Sequence, residues 1–362
     1  MKKNHKICFL NSVKSWGGGE KWHFDMAKKL NENGYDVIFF CHKKSVLEKK
    51  LEETQIPKHS ISIGNLSFLN IFKLLFLASL FKKEKIDCLI MNGSSDIKTA
   101  GLAAKITNVK RIIYRRGSAI PIRNTFFNRF LFKKVITDVI ANSEATKRTI
   151  NQNNPNMFAP GKIEVIYNGI EINKLPSMHE KHRSDEKEII IGNAARLAPQ
   201  KGHDLLIEIA KELKTKTSNF KILLAGDGPL RENIERLIEE NNLKQNIILL
   251  GFQKNIFDFM DSIDIFILTS RWEGFGFVLA EAMLRKKPIV AWNLSSNPEL
   301  VKPGKNGYLA KPFDIKEFAD YVQTLIDTPE ERKMFGETGY KFTLENFDMN
   351  NSLNKLCHFL HI

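Results

Sequence analysis

The sequence predicts an α/β protein of two Rossmann-like domains, each built on a parallel sheet and facing the other across a cleft. Three observations carry that expectation. Short apolar runs alternate with longer amphipathic stretches through residues 1–172, a polar stretch interrupts at 173–188, and a second alternating series follows over 189–344. At 362 residues the chain exceeds one ordinary core. With 43% hydrophobic and 27% charged residues it is globular rather than disordered.

In the first domain, strands are expected at 7–10, 37–41, 61–63, 88–91, 112–114, 139–141 and 163–167, with helical patterns between most of them. Strands alternating with helices form right-handed βαβ units, so the sheet is parallel and covered on both faces. The basic N-terminus precedes only a brief apolar run that ends at Asn11 with no small-residue cleavage site, which reads as a first strand and not a signal peptide. Residues 173–188 are polar and charged, with Pro176 as a breaker, and are expected to form an exposed linker. Beyond it, strands are expected at 189–192, 222–226, 247–251, 265–268 and 288–291, with helices such as 204–213 and 231–240 between them. The tail reads as helices interrupted near Asn346-Phe347-Asp348. Its apolar positions Leu353, Leu356, Phe359 and Leu360 need cover, so the helix at about 345–362 is expected to pack back on the first domain.

The net charge of +14 is uneven. Residues 1–170 hold 29 Lys and Arg against 13 Asp and Glu, a net of +16, which leaves 26 against 28, a net of −2, for the remainder. An acidic partner would meet the first half: an anionic membrane surface, or a phosphorylated glycan or lipid. General solubility is the plainer account. Nucleic acid is disfavoured because this half lacks a recognition module. Cys8, Cys41, Cys88 and Cys357 show no CxxC or metal spacing and read as reduced thiols. The expected location is cytoplasmic, with a peripheral position on the inner face of the plasma membrane if the basic half binds lipid.

Glycine-bearing loops follow several strands directly. Trp16-Gly17-Gly18-Gly19-Glu20 lies between the first strand and a helix, where Gly18 and Gly19 let backbone approach a phosphate or sugar; a tight strand-to-helix turn would need the same glycines. The run is not GxGxxG, so a dinucleotide cofactor is disfavoured. Residues 192–202 leave the first strand of the second domain and carry Arg196 and Lys201, five residues apart. Two cations so placed can clamp a diphosphate and offset the charge that grows as it leaves, although loop cations are commonly just solvated. Gly226-Asp227-Gly228-Pro229 adds a turn on the same sheet edge. The stretch 271–283 follows the buried run 264–270 and joins Glu273 on a loop to Glu281 on a helix. Helix-start N–H groups can receive an anion, and the carboxylates can accept hydrogen bonds from hydroxyls, which suits a sugar nucleotide.

Taken in order, Gly17-Gly18-Gly19-Glu20, Val165-Ile166-Tyr167-Asn168-Gly169-Ile170, Arg196 with Lys201-Gly202, Ala225-Gly226-Asp227-Gly228-Pro229, and Glu273-Gly274-Phe275-Gly276 through Glu281-Ala282-Met283 resemble the GT-B fold, retaining glycosyltransferases of family 4, the glycosyl transferases group 1. The resemblance covers nearly the whole chain, most closely over 160–315. It implies transfer of a hexosyl unit from a nucleoside-diphosphate sugar, a UDP-sugar or GDP-sugar, to a glycan or lipid-linked glycan acceptor, in cell-envelope polysaccharide or lipopolysaccharide synthesis. The first domain would take the acceptor and the second, 189–344, the donor.

The resemblance makes Arg196, Lys201 and Glu273 the catalytic candidates: the two cations hold the donor diphosphate, and Glu273 faces the donor sugar as a positioning group. Glu281 would bind the ribose hydroxyls. Gly274, Phe275, Gly276 and Phe277 would meet sugar or phosphate, Gly18 and Gly19 would close over the diphosphate, Gly226 and Gly228 complete the donor-binding set, and Phe252 would meet the nucleobase. Two departures stand out. Where relatives often place a His beside the donor sugar, this chain reads Tyr114-Arg115-Arg116, and Arg116 either substitutes electrostatically or is a surface arginine. Ser295-Ser296-Asn297 replaces the Gly-Gly common ahead of Pro298-Glu299. No Asp-x-Asp triplet or HExxH-like cluster occurs, so the expectation is metal-independent transfer with no cofactor.

On the acceptor side the candidates are Arg115, Arg116, Arg123 and Arg129. Residues 66–83, interrupted by Lys73, are shorter than the roughly 20 apolar residues a membrane span needs and read mainly as a core helix. Residues 123–134 mix cations with aromatics, which suits either an interfacial helix on anionic lipid or a core helix with a basic outer face. The competing functions are a nucleotide-sugar epimerase of the same fold and a non-catalytic nucleotide-sugar-binding subunit.

Overall fold

The computed structural model describes residues 5–178 and 188–362. Most of the expected linker, residues 179–187, lies outside the described residues. The chain forms two compact units, Met1–Gly169 together with Met349–Ile362, and Ile170–Asp348.

The first unit holds seven strands, β1 (Ile7–Asn11), β2 (Val37–His42), β3 (Lys58–Ile61), β4 (Cys88–Met91), β5 (Arg111–Arg116), β6 (Asp138–Ala141) and β7 (Ile163–Val165), in the spatial order β3-β2-β1-β4-β5-β6-β7. The second holds β8 (Ile189–Ala194), β9 (Phe220–Ala225), β10 (Ile247–Gly251), β11 (Ile265–Leu268), β12 (Ile289–Trp292) and β13 (Gly307–Ala310), in the order β10-β9-β8-β11-β12-β13. Every neighbouring pair is parallel. The two Rossmann-like sheets are therefore those expected from the alternating pattern.

Alternate residues of one strand enter opposite layers of the core. Cys8, Leu10, Ile38, Phe40, Leu89 and Met91 lie in one layer, and Ile7, Phe9, Val37, Phe39, Ile90 and Ile113 in the other. This two-sided burial is why the strands read as unbroken apolar runs. The edges differ. The third strand lies at Lys58–Ile61, not 61–63, because an edge strand tolerates polar Lys58, His59 and Ser60 on its open side while Ile61 and Ile63 fill the core at its end. Strand β13, short and begun by a glycine, was not expected at all.

In each sheet the strand order reverses once, between β1 and β4 and between β8 and β11. Loops leaving the carboxyl ends of those central strands diverge to opposite faces, and the crevice between them is where open α/β sheets take ligands. The glycine loop at 17–19 follows β1; the Arg196 to Lys201 loop follows β8, and the Glu273 loop follows β11.

The final helix, Met349–Leu360, belongs to the first unit. It buries Met349, Leu353, Leu356 and Leu360 beside Ile7, Phe9 and Ile166, at roughly 2 kcal/mol per side chain. Ser352 Oγ donates to the Tyr167 carbonyl at 2.9 Å, and Arg111 Nη1 donates to the Phe359 carbonyl at 2.6 Å. No helix among the described residues is long and apolar enough to cross a membrane.

Candidate active site

In the second unit, the loops leaving β8 and β11 are fastened to each other. Gly202, with φ +64°, starts the helix His203–Lys214, and a Cβ there would lie 2.3 Å from the Thr269 carbonyl oxygen. Only glycine allows both the left-handed turn and the approach. Thr269 Oγ1 donates to the Lys201 carbonyl at 3.1 Å, Gln200 Nε2 to the Trp272 carbonyl at 2.9 Å, and the Arg271 N–H to the Gln200 carbonyl at 2.8 Å. Arg271 reaches back with Nη1 to Pro199 O at 3.0 Å and Asp204 Oδ1 at 2.9 Å.

This fastening sets Lys201 Nζ 2.6 Å from Glu273 Oε1. Glu273 is buried and Lys201 half-buried, so the pair is a charge-assisted hydrogen bond shielded from bulk water on one side only. From the far side, Ser296 Oγ donates to the Glu273 carbonyl at 3.3 Å. Serine 296 thus braces the loop from the segment where the sequence departs from its resemblance. Arg196 is exposed and makes no hydrogen bond among the described residues.

Two buried polar side chains lie on the same loops as the pair. His203 is buried with both ring nitrogens unpartnered among the described residues. Burial first, and the Lys201 charge second, push it down to about 4, so it stays neutral beside the lysine. Ser270 Oγ is likewise buried and unpartnered among the described residues.

The other donor-side candidates separate by what they touch. Gly276, with φ +79°, starts the short helix Phe277–Met283, on which Glu281 is half-buried. The Phe275 ring is turned inward, against Phe277 at 5.5 Å and Phe347 at 5.1 Å between centroids, so it anchors the loop. Gly274 is buried behind it. Phe252 follows β10 and is 78% exposed. Gly226 and Gly228 have a local reason to be glycine: a Cβ would lie 1.9 Å from Ala195 O and 2.5 Å from Leu197 O. Their turn packs on the backbone of the Arg196 loop, with Leu197 N–H donating to Asp227 O at 3.0 Å.

In the first unit, the sequence singled out the glycines but missed the network behind them. A Cβ on Gly19 would lie 2.6 Å from Asn92 Nδ2, whereas Gly18 is exposed. Buried Glu20 accepts from Asn11 Nδ2 at 3.2 Å and from Asn92 Nδ2 at 3.1 Å. Arg115 completes it, donating to Asn92 Oδ1 at 3.4 Å and Asn168 Oδ1 at 2.7 Å, with its guanidinium 4.9 Å from the Trp22 ring centre. Beside these, Asp96 accepts from Ser12 Oγ and from the Gly93 N–H, and burial pushes it up to about 6.

Arg115 and Arg116, the acceptor-side candidates at the end of β5, are both buried. Arg115 is 1% exposed, and burial pulls it down to about 10, with Glu20 opposing. Arg116 is also buried, donating from Nη1 to Tyr114 Oη at 3.2 Å and from Nη2 to the Ile120 carbonyl. Of the two readings open for Arg116, burial excludes the surface arginine; the asparagines that receive Arg115 follow other strands. Arg123 is exposed, and half-buried Arg129 donates to Asn124 Oδ1 at 3.1 Å. The four cysteines are free. Among the described residues no group of three or more His, Cys, Asp and Glu could hold a metal ion.

Two parallel sheets, each with one reversal of strand order and glycine-bearing loops beside it, define two Rossmann-like units. Glycosyl transferases group 1 matches residues 176–342 and Glycosyltransferase Family 4 matches residues 16–174. The chain belongs to the family 4, GT-B glycosyltransferases. Among curated relatives, a Staphylococcus aureus poly(ribitol-phosphate) alpha-N-acetylglucosaminyltransferase is 30% identical over 61% of this chain and 43% of its own length. The Staphylococcus aureus capsular polysaccharide biosynthesis glycosyltransferase CapM is 28% identical over 94% of this chain and 92% of its own. The chain spans about half the length of several other relatives it matches. Among solved structures, Anabaena Alr3699/HepE in complex with UDP and glucose shares the fold, with a TM-score of 0.83, 22% identity and 99% of each chain covered.

Proposed function

We propose that this protein transfers a hexosyl unit, with retention, from a UDP-sugar or GDP-sugar to a glycan or lipid-linked glycan in cell-envelope polysaccharide or lipopolysaccharide synthesis. The observation that carries this reading is the 2.6 Å contact of Lys201 with Glu273 on loops at the strand-order reversal. A bound diphosphate supplies Lys201 with a second anionic partner, and exposed Arg196 stands free to join it. Charge growing on the departing diphosphate is met by both cations, in the part a divalent ion plays elsewhere, so no metal or cofactor is required. Glu273 positions the sugar, the departing phosphate assists deprotonation of the acceptor, and Glu281 holds the ribose. The reading is supported by relatives named for alpha-N-acetylglucosaminyl transfer to poly(ribitol-phosphate) and for capsular polysaccharide biosynthesis. It places the protein in the cytoplasm, peripheral to the inner membrane face where lipid-linked acceptors lie.

Thermal shift against UDP, GDP, ADP and their sugars tests the donor site, since a ligand selective for the native state raises the melting temperature. One diphosphate should stabilise the wild type and fail to stabilise Lys201→Ala. If no nucleotide shifts the transition, the donor assignment is wrong.

A further inference from the structure

The helix Ile71–Lys83 is apolar on both sides. Leu74, Leu77, Ala78 and Phe81 point into the core of the first unit. The opposite side carries Ile71, Phe72, Leu75 and Phe76, all exposed, with Phe72 at 81%. The turn before it adds Leu66 at 71% and Leu69 at 69% exposure. Lys73, the one cation within residues 66–76, folds back: its Nζ donates to Ser62 O at 2.8 Å and Ser67 Oγ at 3.2 Å. The apolar side chains stand clear of it.

The segment at 126–130 continues the same surface. Phe68 packs on Phe127 at 5.0 Å between ring centres, and Phe127 on Phe130 at 6.4 Å, while Phe126 is 78% exposed. Cations frame these rings. Lys98 Nζ sits 5.8 Å from the Phe68 ring centre, exposed Lys82 and Lys83 end the helix, and exposed Arg123, Lys133 and Lys134 flank the aromatic turn. A contiguous apolar patch is unusual on a soluble face, and one rimmed by a single sign of charge selects an anionic apolar partner. The whole first half carries that sign, +16 over residues 1–170.

We infer that the face formed by residues 66–76 and 126–130 inserts into the surface of an anionic lipid bilayer, with the aromatics at the headgroup boundary and the lysines on the phosphates. This rests on the peripheral location proposed above but not on the donor chemistry. It names the part of the chain that meets lipid, and it assigns the helix at 71–83, expected mainly as core, a second face with a different neighbour.

The test is flotation of the full chain with vesicles of 30% phosphatidylglycerol in phosphatidylcholine, beside pure phosphatidylcholine, at about 0.1 M and 0.5 M salt. Binding should require the anionic lipid and weaken at the higher salt. The pair Phe72→Asp and Phe76→Asp should lower it by at least about tenfold, and Phe126→Asp should lower it as well, with melting temperatures unchanged because these three side chains are exposed. Met334→Asp, an exposed apolar position of the second unit, should leave it unaltered. Binding that ignores the phenylalanine changes overturns the inference. So does a wild type that ignores vesicles, whether monomeric or forming a dimer that the same changes dissociate. A protein that binds vesicles but no nucleotide would sink the donor assignment and leave this face standing.

Discussion

Each unit places charged groups of opposite sign behind the loops at its strand-order reversal, yet the two arrangements are built for different ends. In the second unit, Lys201 and Glu273 touch directly, with the lysine half-exposed, so one partner can be exchanged for an incoming anion. In the first, Glu20 and Arg115 are both buried and are held apart by Asn92, which donates to one and accepts from the other. A network in which two asparagines bond the Arg115 Nη atoms and two bond Glu20, with the Arg115 Nε buried and unpartnered among the described residues, is costly to expose, and it underlies the Gly17–Gly19 turn. The difference separates a pair open to an incoming anion from a buried support.

The largest effect should come from the buried support. Replacing Arg115 by Met leaves Asn168 and Asn92 short of a donor and Glu20 without the cation across Asn92. That change should destabilise the first unit by about 3–5 kcal/mol in urea unfolding. Adding Glu20→Gln should recover part of it. If the single change shifts nothing, the network is not a rigid support and the contrast fails.

Next in size is the Lys201–Glu273 pair proposed to act on the donor. Lys201→Ala should lower donor turnover by about 100- to 1,000-fold with the fold retained, as loss of one positioned cation does at a developing anion. Under the proposed division of labour, Glu281→Ala weakens nucleotide binding while Glu273→Ala acts mainly on turnover. Equal effects of both on nucleotide affinity would contradict it.

Acid separates the units by a smaller margin. His203 is held down at about 4 from an ordinary 6.5, so its contribution is whole above pH 6.5 and is lost as pH falls toward 4, because the unfolded chain takes the proton first. His23, driven down to about 3 chiefly by burial, does the same in the first unit. There Asp96 opposes it. Raised to about 6 from 3.8, it binds its proton more tightly when folded, so falling pH between 6 and 4 adds stability. At pH 5 the second unit should have lost about 2 kcal/mol and the first about 0.5 kcal/mol, readable by hydrogen exchange of each unit at pH 7 and 5. His203→Gln should flatten the second curve only.

What the sequence makes legible follows from the same physics. Central parallel strands are buried on both faces, so 88–91 or 265–268 announce themselves; β3 and β13 are edges, where one side meets water and the apolar signal halves. Lys201 and Glu273 each sit in a local motif, but their contact spans 72 residues and appears only once β8 and β11 are neighbours. Asn11, Glu20, Asn92, Arg115 and Asn168 come from separate loops and strand ends, with no common spacing. Their meeting depends on strand order, which periodicity does not encode. Gly226 and Gly228 were legible as a close approach, and the partner the structure gives them is the backbone of the chain's own Ala195 and Leu197.

The smallest expected effect bears on how firmly the Lys201–Glu273 pair is held. Arg271 bridges the Pro199 turn and Asp204, and its hydrogen bonds keep the Asp204 carboxyl below its usual range. Both side chains are substantially solvated, so Arg271→Ala should cost at most about 1 kcal/mol. The same two loops remain joined by the Arg271 N–H to Gln200, by Gln200 to Trp272 and by Thr269 to Lys201, none of which needs the guanidinium. Turnover should therefore fall less than about tenfold, far short of the Lys201 variant. A loss as large as that of Lys201→Ala, with an unchanged melting temperature, would mean that one solvated ion pair sets the Lys201–Glu273 geometry. The second unit's site would then be held by far less than the buried network that supports the first.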